Sequence, residues 1–182
     1  MIETERLILR RWSANDAEEC YKYAKDPLVG PAAGWPVHTS VEDSRRIIED
    51  VLDVPETYAI VLKKTGLPIG SIGLHFYPTT DLTQESDECE LGYWIGRPYW
   101  GHGYAPEAAR AAIEYAFDTL NLTKIWCGYY EGNDKSKRVQ QKCGFVFHHI
   151  SYDVRVHQLS ETRNGYVNVL TREMWESKKT KN

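Results

Sequence analysis

The stretch from Cys89 to Glu107, CELGYWIGRPYWGHGYAPE, constrains the fold more than any other part of the sequence. A short apolar run (Leu91, Tyr93, Trp94, Ile95) stops at Gly96. Gly101 and Gly103 follow with one residue between them, and an alanine-rich helical pattern then runs from about Tyr104 to Leu120. A strand feeding a glycine turn that opens a helix is a physical device for holding an anion. The first turn of a helix has N–H groups without intrahelical acceptors, and the aligned peptide dipoles place partial positive charge there. Glycines permit positive φ and carry no Cβ to keep a phosphate at a distance. The stretch is therefore a candidate pyrophosphate cradle. By itself Gly-x-Gly is a weak signal, because glycines before a helix often serve only a tight turn. Two better-known phosphate loops are excluded: the dinucleotide fingerprint wants a third glycine where Pro106 stands, and no Gly-Lys-Ser/Thr closes a P-loop.

The rest of the chain reads as one domain over 1–175, with a charged tail over 176–182, since single domains commonly fall at roughly 100–200 residues. A net charge of −4 argues against a general nucleic-acid binder, whose phosphate contacts need a basic face. Any polyanionic ligand must then be held by local groups. Twelve tyrosines and six tryptophans point to aromatic-lined surfaces as well as a core. Cys20, Cys89, Cys127 and Cys143 form no C-x-x-C pair and read as small buried hydrophobes. The histidines show no metal spacing. His148 and His149 are adjacent in an apparent strand and are expected on opposite faces, unable to share an ion. The opening MIETERLILRR lacks an apolar signal core, and no apolar run approaches the ~20 residues of a membrane span. No membrane association and a cytoplasmic location follow as expectations.

Taken in order, 6–12 alternates as a strand, and Ser13 with Asp16 caps a helix that ends near Asp26-Pro27. GPAAGWPVHTS is an expected irregular loop. Ser40 with Asp43 caps a second helix, whose stripe of Val41, Ile47, Ile48, Val51 and Leu52 should pack on the core. Strands at 58–62 and 68–77 form a hairpin, and a polar loop over 78–87 leads into the central stretch. Beyond the long helix come a strand at 124–130, a short helix at 133–143 stopped by Gly144, and strands at 145–154 and 165–174. The order predicts an α/β protein with a mixed sheet covered by helices.

The run Asn133-Asp-Lys-Ser-Lys-Arg-Val-Gln-Gln-Lys-Cys-Gly-Phe145 has the pattern N-x-x-S-x-x-V-x-x-K-x-G-F and lies about thirty residues past the Gly-x-Gly loop, one helix and one strand away. Together with Trp100-Gly-His-Gly-Tyr-Ala-Pro-Glu-Ala108 and the opening ETERLILR, it resembles the GNAT N-acetyltransferases, in particular the ribosomal-protein-alanine N-acetyltransferase branch. The likeness runs from about Glu3 to Met174. It implies the GNAT fold: about seven strands, about four helices, and a central parallel pair that splays. It also implies acetyl-CoA as co-substrate, with no metal. The pantetheine arm would bond to the backbone of Tyr93, Trp94 and Ile95. The amides of Gly101, His102, Gly103, Tyr104 and Ala105 would take the pyrophosphate, and Asn133 would bond the arm from the other side. Arg97, Lys137, Arg138 and Lys142 are phosphate candidates, although each reads more readily as a solvated surface charge. Pro98 stands where many members carry Gln or Arg. A homodimer through the last strands is implied by the resemblance alone.

Acetyl transfer to an amine needs a neutral nucleophile, a polarised thioester carbonyl and a proton for the leaving thiolate. At neutral pH roughly a tenth of an α-amine of pKa ~8 is uncharged, but under a thousandth of a lysine of pKa ~10.4. Glu90, on one face with Gly92 and Trp94, is the candidate base, with Glu88 in reserve and His75 a weaker choice. For the general acid many relatives use a tyrosine where this chain has Gln140, so the resemblance leaves Ser136 to bond the thiolate or carbonyl, with the Trp94 N–H as a further donor. The acceptor site is expected around Trp35-Pro36-Val37-His38, the second helix and the loop after Tyr77. Two classes stay open: a transferase acting on protein N-termini or on a small amine such as a polyamine, amino acid or antibiotic, and a non-catalytic acyl-CoA-binding module.

Overall fold

In a computed structural model, which describes residues 1–179, the last strand of the chain is not at the edge of the sheet. The strands are β1 (Ile2–Glu3), β2 (Leu7–Arg10), β3 (Thr57–Leu62), β4 (Leu67–His75), β5 (Glu88–Ile95), β6 (Lys124–Tyr130), β7 (Val146–Val156) and β8 (Glu161–Thr171). They form one sheet in the order β1-β2-β3-β4-β5-β6-β8-β7, so β8 inserts between β6 and β7. Every neighbouring pair is antiparallel except β5 and β6.

The helices are α1 (Ala17–Ala24), α2 (Gly30–Ala33), α3 (Val41–Ile47), α4 (Tyr104–Asp118), α5 (Asp134–Cys143) and α6 (Arg172–Lys179). Strand alternation sorts their partners. In β3, Tyr58, Ile60 and Leu62 join the large core with Ile113 and Phe117 of α4, while Ala59 and Val61 pack with Cys20 and Ala24 of α1 on the opposite face. Ala108, Ala109, Ala112 and Ala116 are buried, which lets α4 lie close to the strands. The sequence signals for helix ends are present in the structure. Ser13 and Asp16 make a capping box, the Ser40 side chain accepts from the Asp43 N–H, and Gly144 ends α5 at φ 94°.

Four expectations need correction. There are eight strands and six α-helices among the described residues, not about seven and four, because two-residue β1, one-turn α2 and α6 are all formed. The last strand stops at Thr171, and 176–179, expected in the charged tail, belong to α6; residues 180–182 lie outside the described part. Tertiary contacts hold that helix: Trp175 packs on Phe117 with ring centroids 5.1 Å apart, and Lys179 lies 3.0 Å from Asp118. His148 and His149 do not diverge. A register shift between Phe147 and His149 turns the rings together, with Nδ1 atoms 2.8 Å apart. The second helix does not bury its whole stripe: it loosens into a π turn at Ile48–Leu52, and only Ile48 of the five is buried.

Candidate active site

β5 and β6 run together for three residue pairs only: Glu88 with Lys124, Cys89 with Ile125 and Glu90 with Trp126. Past Glu90, β5 stays with β4 as far as Ile95, while β6 follows β8 to Tyr130. The two ladders pull the parallel pair apart. The gap opens into a cavity of about 1040 Å³, at the upper end for a ligand site, between Leu91–Ile95 on one side and Gly128–Tyr130 on the other. Part of the strand edge is already satisfied. Leu91 O accepts from the Cys127 thiol at 3.1 Å, and Ile95 O accepts from the Trp100 indole at 2.7 Å.

The glycine turn forms one end of this cavity. Gly101 (φ 79°) and Gly103 (φ 81°) both take the left-handed region, and a Cβ at Gly101 would meet nothing within 4 Å. Gly103 is the N-cap of α4, whose ladder starts when the Glu107 N–H donates to Gly103 O at 3.2 Å. The amides of Tyr104 and Ala105 therefore precede any intrahelical acceptor, as an anion site requires. Tyr104 and Ala105 line the cavity, as do Lys135, Arg138 and Lys142 of α5. Lys135, which the sequence did not single out, sits 4.2 Å over the Trp100 ring. Arg97 is instead paired with Asp26 at 2.9 Å and, like Lys137, is not part of the wall. His102 also lies outside it, exposed, with Nδ1 donating to Trp100 O. The Asn133 side chain is committed within the chain: Oδ1 accepts from the Ser136 N–H and Nδ2 donates to Ala32 O.

The acetyltransferase (GNAT) domain family matches residues 6–146. The chain belongs to that family. It is 34% identical over 127 residues to the uncharacterized N-acetyltransferase p20 of Bacillus licheniformis, covering 67% of this chain and 68% of that one. It is 36% identical over 77 residues to the putative ribosomal N-acetyltransferase YdaF of Bacillus subtilis strain 168, covering 42% and 39% of the two chains. In fold it is similar to the crystal structure of a GNAT-family acetyltransferase from Bacillus anthracis, with a TM-score of 0.82, 24% identity, and 94% and 98% of the two chains covered. A GNAT member is an acyltransferase, and the residues here fit its acyl-CoA co-substrate. Left-handed glycines, free helix-terminal amides and three cations line a slot between parted strands. Among the described residues no cluster of three or more His, Cys, Asp or Glu could hold a metal, and no helix is long and apolar enough to cross a membrane.

Two carboxylates sit on one face of β5 in contrasting surroundings. Glu88, 6% exposed, binds Lys124 Nζ at 2.5 Å, the Trp126 indole at 2.6 Å and the Thr83 hydroxyl at 2.8 Å. Burial pushes its carboxyl up, but these bonds together outweigh burial and leave it below the usual value. Glu88 is thereby tied into the structure and does not line the cavity. Glu90 does line it, and among the described residues its one side-chain bond comes from the Thr80 hydroxyl at 2.5 Å. Burial pushes Glu90 above the usual carboxylate range; the Thr80 bond opposes this and the charge of Asp81 adds to it. Opposite Glu90 on β4 is His75, whose ring fills the space over Gly73 and Gly92: a Cβ at either would come within 2.9 Å of it. Burial holds the His75 pKa down.

On the other side of the slot Ser136 Oγ lies 3.0 Å from the Tyr93 hydroxyl and accepts from Gln140 Nε2 at 3.2 Å. Gln140 is 1% exposed and fully engaged, also donating to Gly128 O and accepting from Asn168 Nδ2 at 2.7 Å. A buried amide bracing the serine thus stands where the resemblance puts a tyrosine. Sequence reasoning placed Tyr93 by its backbone alone. Its hydroxyl contact spans 43 residues, and no local signal reports such a meeting.

Proposed function

We propose that the chain transfers an acetyl group from acetyl-CoA to a primary amine, most readily the α-amine of a protein N-terminus. The observation that carries this is Glu90, a carboxylate with raised pKa in the cavity wall where β5 and β6 part. Glu90 accepts a proton from the ammonium, directly or through water, leaving the amine neutral. An α-amine asks little of such a base, because its own pKa is ~8. The bound thioester supplies the carbonyl that the amine attacks and the thiol that leaves. Ser136, held between Tyr93 and Gln140, donates to the carbonyl or the departing sulfur, and the Trp94 N–H is a further donor. YdaF, named for ribosomal N-acetylation, supports the N-terminal acceptor. Thiol release from acetyl-CoA with a panel of peptides and small amines tests this. Turnover with N-terminal peptides is expected, and acetyl-CoA binding without transfer to any amine would leave only an acyl-CoA-binding module.

A homodimer through the last strands is part of the same proposal. Edge strand β7 leaves Val146, Phe147 and Tyr152 exposed. Sedimentation at micromolar concentration should show a dimer that Phe147→Glu splits; a monomer at every concentration counts against it.

A further inference from the structure

The cavity has two electrically different ends. Its cationic lysines and arginine, Lys135, Arg138 and Lys142, all come from α5 beside the glycine turn. Among the described lining residues the carboxylates are Asp81 and Glu90, at the opposite end. Around those acids the wall mixes the polar side chains of His38, Thr57, Ser71 and His75 with a larger aromatic and aliphatic surface. Trp35 and Trp94 meet edge to face with centroids 5.7 Å apart, and Trp12 stacks behind Trp94 at 6.3 Å. Ile47, Val51 and Leu28 complete the mouth. Val51 and Leu28 are 58% and 53% exposed, so apolar surface is left open there.

This wall is built rather than incidental. The Trp35 ring lies so close to Gly30 that a Cβ there would come within 2.5 Å of it, and the Tyr130 ring packs on Gly34 in the same way at 3.0 Å. The Asn133 amide and Arg163 hold α2 by its carbonyls, at 3.2 and 2.6 Å. Trp35 is therefore fixed before any substrate arrives, which limits the entropy lost on binding.

Resting on the acetyl-transfer function above, we infer that the acceptor is a singly charged primary amine whose neighbouring group is apolar and preferably aromatic. Asp81 and Glu90 complement one ammonium group. A polyamine would lay its further charges along tryptophan and aliphatic surface, where no other lining carboxylate among the described residues meets them, and an acidic residue next to the amine would face the same two anions. His38 and His75 do not oppose a cation, since burial lowers both. In an N-terminal substrate the first side chain lies against Trp35 and Trp94; in a small amine the ring does.

The test is thiol release from acetyl-CoA with tripeptide amides beginning in Phe, Ala or Asp, with phenethylamine and with spermidine. The Phe peptide should exceed the Ala peptide in kcat/KM by about tenfold or more, the range apolar pockets reach. Phenethylamine should outrun spermidine. Trp35→Ala should bring the Phe/Ala ratio close to one through KM, with acetyl-CoA binding heat retained as the sign of a folded protein. If that variant loses the heat, Val51→Ala at the exposed rim should lower the same ratio in the same direction. Equal rates across the peptides, or a preference for spermidine or the Asp peptide, would overturn the inference while acetyl transfer stands. No transfer to any amine would remove the transferase function and this inference with it.

Discussion

Two glutamates two residues apart show how far surroundings alone can separate identical side chains. Glu90 is pushed up by burial, and a base works only when deprotonated, so kcat/KM should fall as pH drops through a value above the ordinary carboxylate range. Glu90→Gln should lower the rate by about 10²–10⁴-fold and abolish that acid limb; an unchanged profile would remove Glu90 as the base. Glu88 behaves oppositely. Glu88→Gln should leave the acid limb in place but cost about 1.5–3 kcal/mol, because the Trp126 indole and Thr83 hydroxyl lose a charged acceptor while the partly exposed Lys124 is solvated by water. Urea unfolding separates that loss from activity. At Ser136, Ser136→Ala should lower kcat more than it weakens acetyl-CoA binding, and Tyr93→Phe should lower kcat less, since Gln140 still holds the serine. Stronger loss of binding than of turnover in Ser136→Ala would reassign it to cofactor positioning.

At the scale of elements the glycine turn and α4 act as one unit. Gly101 is left-handed but faces open space, so Gly101→Ala should cost only the roughly 1–2 kcal/mol of that backbone conformation. Its methyl group would stand where the phosphates are expected. Calorimetry should therefore show acetyl-CoA affinity falling by more than the melting temperature suggests; an unaltered affinity would place the phosphates elsewhere. α6 shows what local pattern cannot supply. Its sequence reads as a charged tail, and it is helical because Trp175 and Lys179 find Phe117 and Asp118. The α3 stripe fails for a related reason: Ile47, Val51 and Leu52 have helical spacing and apolar side chains, yet they border a cavity where a core was expected. Periodicity reports which residues share a face, not what that face meets.

Across the whole molecule, the start of the chain is clamped to the cofactor end of the sheet by Glu107. Its carboxylate accepts from the Thr4 hydroxyl at 2.6 Å, the Arg6 N–H at 2.9 Å and Arg6 Nε at 2.7 Å. Burial raises Glu107, but these bonds leave it below its ordinary value, as with Glu88. A carboxyl depressed in the folded state contributes stability that is present above its unfolded pKa, ~4.3, and is lost as pH falls through the lower folded value. Acid titration of wild-type protein should thus show stability dropping below about pH 4.3, with a smaller drop in Glu107→Gln. A parallel decline in both would show that the clamp carries no such linkage.

Much of this molecule is written in short stretches. The caps at Ser13, Ser40 and Gly144, the glycine turn before α4 and the spacing between Gly101 and Ser136 are local features, because backbone conformation and helix ends depend on a few consecutive residues. They were enough to indicate the central strand and helix order and the glycine turn that opens α4, though not β1, α2 or α6. The sequence order does not show that β8 slides between β6 and β7, that β5 and β6 part after Glu90, that Tyr93 meets Ser136, or that their surroundings push Glu88 down and Glu90 up. Those depend on groups tens of residues apart coming within hydrogen-bond distance, and burial and charge at a point in space are properties of the packed chain alone.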